Sequence, residues 1–215
     1  MPRRSRTDTG DPSLVRVARP PKRRDRRCGG GTLDRLKQPG QLAYYSLIVG
    51  YFQYFTGGGS ILDVGCGIGT LVERLGPLGY SRYVGLDLPG EPLRVASRKT
   101  DEKTVFRCAD ANTYTPPETY DAVVFSESLY YLDAPLKVVQ RYERCLERDG
   151  VLIVSMVAFP GADGYWRGLE AAYRVVDEAT VTNKSGISWT CKVFLRDVRA
   201  RRRKHVRRRS AAERK

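Results

Sequence analysis

Three glycines at alternating positions, Gly65, Gly67 and Gly69, stand in the run Asp63-Val64-Gly65-Cys66-Gly67-Ile68-Gly69. An apolar pair, Ile61-Leu62, precedes the run, and a helix-like pattern starts at Thr70. Glycine permits a tight turn and lets backbone come close to a ligand. A turn from strand to helix in an open α/β sheet lies outside the carboxyl ends of the strands, where such sheets bind ligands. The spacing narrows the choice. A dinucleotide fingerprint, GxGxxG, would need glycine where Thr70 stands, and a phosphate-binding P-loop would end in Gly-Lys-Ser/Thr instead of Ile68-Gly69-Thr70. The loop therefore favours a ligand without phosphates.

Two more acids fall in register with this loop. Asp87 closes the apolar run Tyr83-Val84-Gly85-Leu86, 18 residues after Gly69. That is near the offset of about 20 residues at which a carboxylate meets ribose hydroxyls. Asp110 follows Phe106-Arg107-Cys108-Ala109. Any one of these acids is accounted for as a solvated loop residue. Three successive strands each ending near an acid is a pattern, and it describes a nucleoside-sized site.

The segment Ile61-Leu62-Asp63-Val64-Gly65-Cys66-Gly67-Ile68-Gly69-Thr70-Leu71 resembles the first motif of the class I S-adenosyl-L-methionine (SAM)-dependent methyltransferases. The resemblance extends over about residues 41 to 195. It implies that Gly65, Cys66, Gly67 and Gly69 pass under the methionyl part of SAM, and that Asp63 orients the loop or meets the amino group. It also implies that Asp87 takes the ribose hydroxyls and Leu88 packs on adenine. Asp110 would accept from the adenine amino group, with the Ala111 amide near the ring. The implied fold is a seven-stranded sheet whose last two strands form a hairpin.

SAM already carries its reactive methyl group, so the protein's share is binding, orientation and electrostatics. A hydroxyl or ammonium acceptor must also lose a proton, which calls for a general base. The single histidine, His205, lies in a basic C-terminal run, so the core has no histidine base. The remaining candidates follow the fourth strand in Phe125-Ser126-Glu127-Ser128-Leu129-Tyr130-Tyr131-Leu132. This segment resembles the corresponding one of small natural-product and sugar methyltransferases, including the nodulation N-methyltransferases. Glu127 is expected to contact SAM or act as the base, and Tyr131, with Tyr130, to shape the acceptor pocket. Packing alone also accounts for the tyrosines, and capping of the next segment for Glu127. No Asp/Asn/His grouping suggests a catalytic magnesium. No Asn-Pro-Pro-Tyr segment of the amino-acid and nucleobase N-methyltransferases is present, which weakens a base-methylating role. The aromatic run 41–55 reads as a lid over the site or as core with tyrosine hydroxyls at the rim. Tyr165 and Trp166 are lid, pocket or packing residues, and Trp189 is expected in the core.

These residues need a scaffold, and the pattern supplies one. Residues 41–55 read as a helix stopped by Gly57-Gly58-Gly59. Strands are expected at 61–64, 83–86, 104–108, 122–126 and 151–156, with helices over 70–78, 90–99, 135–146 and 164–176. Asp149-Gly150 reads as a turn. Strands at 178–183 and 188–195 flank the hairpin signal Asn183-Lys184-Ser185-Gly186. The fold class is α/β: a single doubly wound, mostly parallel sheet ending in an antiparallel hairpin. The domain spans 41–195, between a basic flexible arm (1–40) and a basic disordered tail (196–215).

Bulk properties bound the partners. The 215-residue chain is 41% hydrophobic, enough for one core without disulfides or metal. Its formal charge of +14 is uneven: residues 1–27 carry +7, residues 196–215 carry +9, and the middle carries −2. Basicity is thus confined to the ends, where it suits weak, nonspecific contact with nucleic acid or anionic surfaces. Neither run has an aromatic residue for base stacking. Five scattered cysteines without a CxxC pair suggest reduced thiols in a cytoplasmic protein. No apolar run reaches the roughly 20 residues of a transmembrane helix, and no secretory signal is expected. The reading is SAM-dependent methylation of an O or N atom of a small-molecule acceptor, a sugar or secondary metabolite. Two alternatives stay open: an RNA methyltransferase tethered by the basic tails, and a non-catalytic SAM-binding protein.

Overall fold

The structure, a computed structural model, describes residues 38–196. The basic runs expected as arm and tail lie almost wholly outside the described residues. Only their inner ends are seen: Pro39–Gln41 form a helical turn, and Arg196 ends the last strand.

Helix α1 (Leu42–Thr56) precedes β1 (Ser60–Val64), α2 (Thr70–Leu75), β2 (Arg82–Asp87), α3 (Glu91–Ser97), β3 (Thr104–Cys108) and β4 (Tyr120–Ser126). Then come α4 (Pro135–Tyr142), β5 (Leu146–Val157), α5 (Ala162–Glu170), β6 (Tyr173–Thr182) and β7 (Ser188–Arg196). The seven strands form one sheet in the order β3-β2-β1-β4-β5-β7-β6. The pairs among β1 to β5 are parallel, and β7 runs antiparallel to both β5 and β6. Strand order reverses between β1 and β4. That switch point opens a crevice at the carboxyl edge of the sheet, below the glycine loop.

Both faces of the central strands are covered, which explains their continuous apolar runs. Adjacent residues point to opposite sides. Ile61, Val124 and Ile153 pack with Tyr44, Ile48 and Phe52 of α1. Leu62, Val123 and Val154 pack with Val138 and Tyr142 of α4 and with Trp166 and Leu169 of α5. The aromatic helix is therefore part of the core, with Tyr44 stacked on buried Trp189 at 5.2 Å. It stops where expected: Gly57, at φ 60°, donates its N–H to the Gln53 carbonyl at 2.9 Å.

Three boundaries differ from the sequence expectation. The helix expected over 164–176 ends at Glu170, and Tyr173 to Val175 instead pair with Arg196, Leu195 and Phe194 of β7. Their aromatic and β-branched side chains suit a strand once a partner is present. Asp149-Gly150 lies within β5, where the pairing with β4 slips: Tyr120 faces Leu146 but Ala122 faces Val151. The preceding helix ends at Tyr142, followed by a tight turn over Glu143–Cys145. Among the described residues no helix is long and apolar enough to cross a membrane.

Candidate active site

The glycine loop is held from beneath. Gly65, Gly67 and Gly69 all have positive φ, at 83°, 56° and 72°, a region that L side chains rarely occupy. The Leu86 carbonyl accepts from the Gly65 and Cys66 N–H groups at 2.7 and 3.0 Å. A Cβ on Gly65 would lie 2.5 Å from the Ser128 Cβ. Ser128 is buried and donates its hydroxyl to the Val64 carbonyl at 2.5 Å. From the other side, Lys99 donates to the Ile68 carbonyl and pairs with Glu73 at 3.1 Å. Sequence reasoning singled out neither Ser128 nor Lys99. Nothing in their local sequence marks them, because they act across the sheet.

A cavity of about 220 Å³ opens beside the loop. Gly65, Asp87, Leu88, Asp110, Ala111 and Tyr131 line it. Asp87 grips the loop: Oδ2 accepts the Gly67 N–H and Oδ1 the Leu88 N–H, both at 2.7 Å. A carboxylate has about four acceptor sites, so both oxygens keep capacity for further donors. Asp110 uses Oδ1 for the Asn112 N–H and side-chain amide, each at 2.9 Å.

Asp63 lies apart, on the face of β1 covered by α1, and is only 1% exposed. Its Oδ2 accepts the Tyr83 hydroxyl at 2.6 Å, whereas buried Oδ1 has no partner among the described residues. Burial chiefly, with the Asp87 charge adding and the Tyr83 hydrogen bond opposing, pushes its pKa up to about 7. An orphaned buried carboxylate oxygen costs free energy unless a donor reaches it. The amino group of a SAM methionyl portion is a donor of the right charge. With the three-glycine cradle and the Asp87 and Asp110 wall, these residues fit that cofactor.

Glu127 follows β4 at the same edge. Its φ of 54° makes it the only non-glycine residue at positive φ among the described residues. Such a conformation is costly and collects at functional sites. The carboxylate is well held: Oε2 accepts the Tyr130 hydroxyl at 3.0 Å and the Val157 N–H at 3.1 Å, and Oε1 accepts the Ser155 hydroxyl at 3.1 Å. Burial nevertheless outweighs these bonds and raises its pKa to about 7. A carboxylate so poised gives up or takes a proton near neutral pH. Of the two tyrosines, the structure puts Tyr130 on Glu127. Tyr131 stands in the wall of the cavity beside the glycine loop, its ring 4.7 Å from that of Tyr130. Cys66 is buried at the loop, its thiol pushed well above its ordinary pKa by burial, so it is an inert packing group.

Comparison with known proteins bears on the fold and on the matched segment. Residues 62–154 match a family model described as a methyltransferase domain. Ubiquinone biosynthesis O-methyltransferases are relatives. That of Actinobacillus pleuropneumoniae serotype 5b is 31% identical over 109 residues, covering 46% of each chain. That of Aliivibrio fischeri MJ11 is 35% identical over 103 residues, covering 46% of this chain and 44% of the relative. The chain thus matches just under half the length of these relatives. Among solved structures, the N-methyltransferase NodS from Bradyrhizobium japonicum WM9, in complex with S-adenosyl-L-homocysteine, aligns with a TM-score of 0.64. The identity is 19%, over 76% of this chain and 91% of that one. The cyclase SpnF aligns with a TM-score of 0.59 at 17% identity, over 70% of this chain and 80% of that one. A shared fold therefore does not by itself name a reaction. Residues 62–154 thus resemble a methyltransferase domain, and they sit in a seven-stranded α/β fold that the chain shares with SAM-dependent methyltransferases.

Proposed function

We propose that this protein transfers a methyl group from SAM to an O or N atom of a small molecule, with Glu127 taking the acceptor's proton. The observation that carries this reading is Glu127 itself. It is a carboxylate at strained φ, at the cofactor edge of the sheet, with its pKa raised to about 7. When bound, SAM supplies an electrophilic sulfonium methyl group. The loop Gly65–Gly69 supports the methionyl portion, and Asp63 receives its amino group. Asp87 accepts from the ribose hydroxyls, while Leu88, Asp110 and Ala111 hold the adenine. Tyr131 closes the wall between cofactor and acceptor, and Tyr130 fixes the Glu127 carboxylate. The O-methyltransferase relatives and the N-methyltransferase neighbour both suit a base that serves either a hydroxyl or an ammonium.

The test is production of S-adenosyl-L-homocysteine from SAM with a panel of phenols, sugars and amino sugars. Glu127→Gln should lower kcat by about 10²- to 10⁴-fold. Undiminished turnover in that variant removes Glu127 from the chemistry, and a protein that binds no SAM removes the function. The four cysteines among the described residues are all free, which supports a cytoplasmic location. The basic runs 1–27 and 196–215, apart from Arg196, lie outside the described residues. We assign them a sequence-independent tether to anionic surfaces or nucleic acid. Salt-sensitive retention of RNA on a filter should vanish when both runs are deleted, and retention by the remaining core would refute the tether.

A further inference from the structure

Beyond Leu132 the wall of the cofactor cavity continues into a second cleft of about 380 Å³. It lies between the turn after β4, the start of α4 and one side of α5. Leu129, Leu132, Leu136, Tyr165 and Leu169 make its walls apolar, and exposed Asp133 stands at its rim. No Lys or Arg lines it. Its size falls within the range of small-molecule sites.

Two further lining residues are unexpected for a helix. Gly164 and Gly168 sit one turn apart in the nine-residue α5. Glycine inside a helix lowers its stability relative to alanine. Backbone geometry does not demand it here, since neither residue has positive φ. Packing does not demand it either: a Cβ built on Gly164 or Gly168 meets nothing within 4 Å. What the two glycines provide is depth, an open floor where any side chain would project into the cleft. The cleft adjoins the cofactor cavity, with Leu132 lining both. Its Tyr165 wall packs on Phe159 at 5.9 Å between rings, and Phe159 packs on Tyr130 at 5.4 Å.

We propose that this cleft holds the flat apolar ring of the methyl acceptor, with Gly164 and Gly168 as its floor, beside the cofactor cavity with which it shares Leu132. The proposal rests on the methyltransferase reading above. Asp133 at the rim, with no cation in the walls, selects neutral or cationic acceptors against carboxylates and phosphates.

The test uses 2-naphthol, a flat apolar ring with one hydroxyl. Its fluorescence is titrated against the full chain, free and saturated with S-adenosyl-L-homocysteine. Binding tighter than about 1 mM is expected, and Gly168→Leu should weaken it about tenfold or more. Leucine is a good helix former, so the fold should persist. Calorimetry should return an unchanged affinity of that variant for S-adenosyl-L-homocysteine. The carboxylated analogue, 2-naphthoate, should bind at least about tenfold more weakly than 2-naphthol. Equal naphthol binding by Gly168→Leu and wild type, or no binding by either, overturns the cleft assignment. Failure of the wild type to bind S-adenosyl-L-homocysteine overturns the methyltransferase reading instead, and the titration of the free protein tells the two failures apart.

Discussion

Replacing Glu127 by Gln should make the protein less active and, above neutral pH, more stable. Burial raises the folded pKa of Glu127 from the ordinary 4.5 to about 7. Its ionised form is thus disfavoured in the fold but not in the unfolded chain. Below pH 4.5 both states hold the proton and the residue has no pH-linked effect. As pH rises through the window from 4.5 to 7, the unfolded chain ionises first and stability falls. Above pH 7 the full cost is present, about 3 kcal/mol at about 1.4 kcal/mol per pKa unit. Glutamine fits the same place. Its oxygen can accept from Tyr130 and the Val157 N–H, while its amide donates to Ser155, whose hydroxyl turns from donor to acceptor. Urea unfolding of wild type and variant at pH 4.5 and pH 8 measures the effect. The variant's advantage should grow by about 3 kcal/mol between the two pH values. Asp63, also displaced to about 7, contributes to both proteins and cancels in the comparison. A difference that stays constant with pH would refute the argument that Glu127 is held against its solvation for chemical use.

Two further substitutions probe the cofactor loop. Asp87→Ala removes the acceptor of the Gly67 N–H together with the group assigned to the ribose. Calorimetry should show SAM affinity reduced by about 1–3 kcal/mol, and an unchanged affinity would take Asp87 out of its role. Gly65→Ala forces a Cβ to within 2.5 Å of Ser128 at a φ of 83°. It should cost about 1–3 kcal/mol in thermal or urea unfolding, and a variant as stable as wild type would contradict the close packing of loop on turn.

Much of this protein can be read along the chain. The α/β alternation, the apolar central strands, the glycine stop of α1 and the hairpin before β7 are local features, set by periodicity and turn chemistry. The same holds for the glycine loop and for the acids Asp63, Asp87 and Asp110. Their spacing along successive strands places them at one edge of any parallel sheet. The strand that begins at Tyr173 was not legible. Tyr173-Arg174-Val175 continues a helical pattern locally, and only pairing with β7 makes it extended.

The sequence by itself determined a glycine loop after the first strand and an acid near the end of each of the first three strands, because residue type and spacing carry that information. Tertiary structure decided what each group does with its hydrogen bonds. It turned Asp87 toward the Gly67 N–H and left Asp63 Oδ1 buried with no donor among the described residues. It set Ser128 under Gly65, put Tyr130 rather than Tyr131 on Glu127, and opened the cleft over Gly164 and Gly168. These outcomes depend on burial and on neighbours that the sheet brings together: Asp87 reaches Gly67 because β1 pairs with β2, and Ser128 reaches Gly65 because β1 pairs with β4.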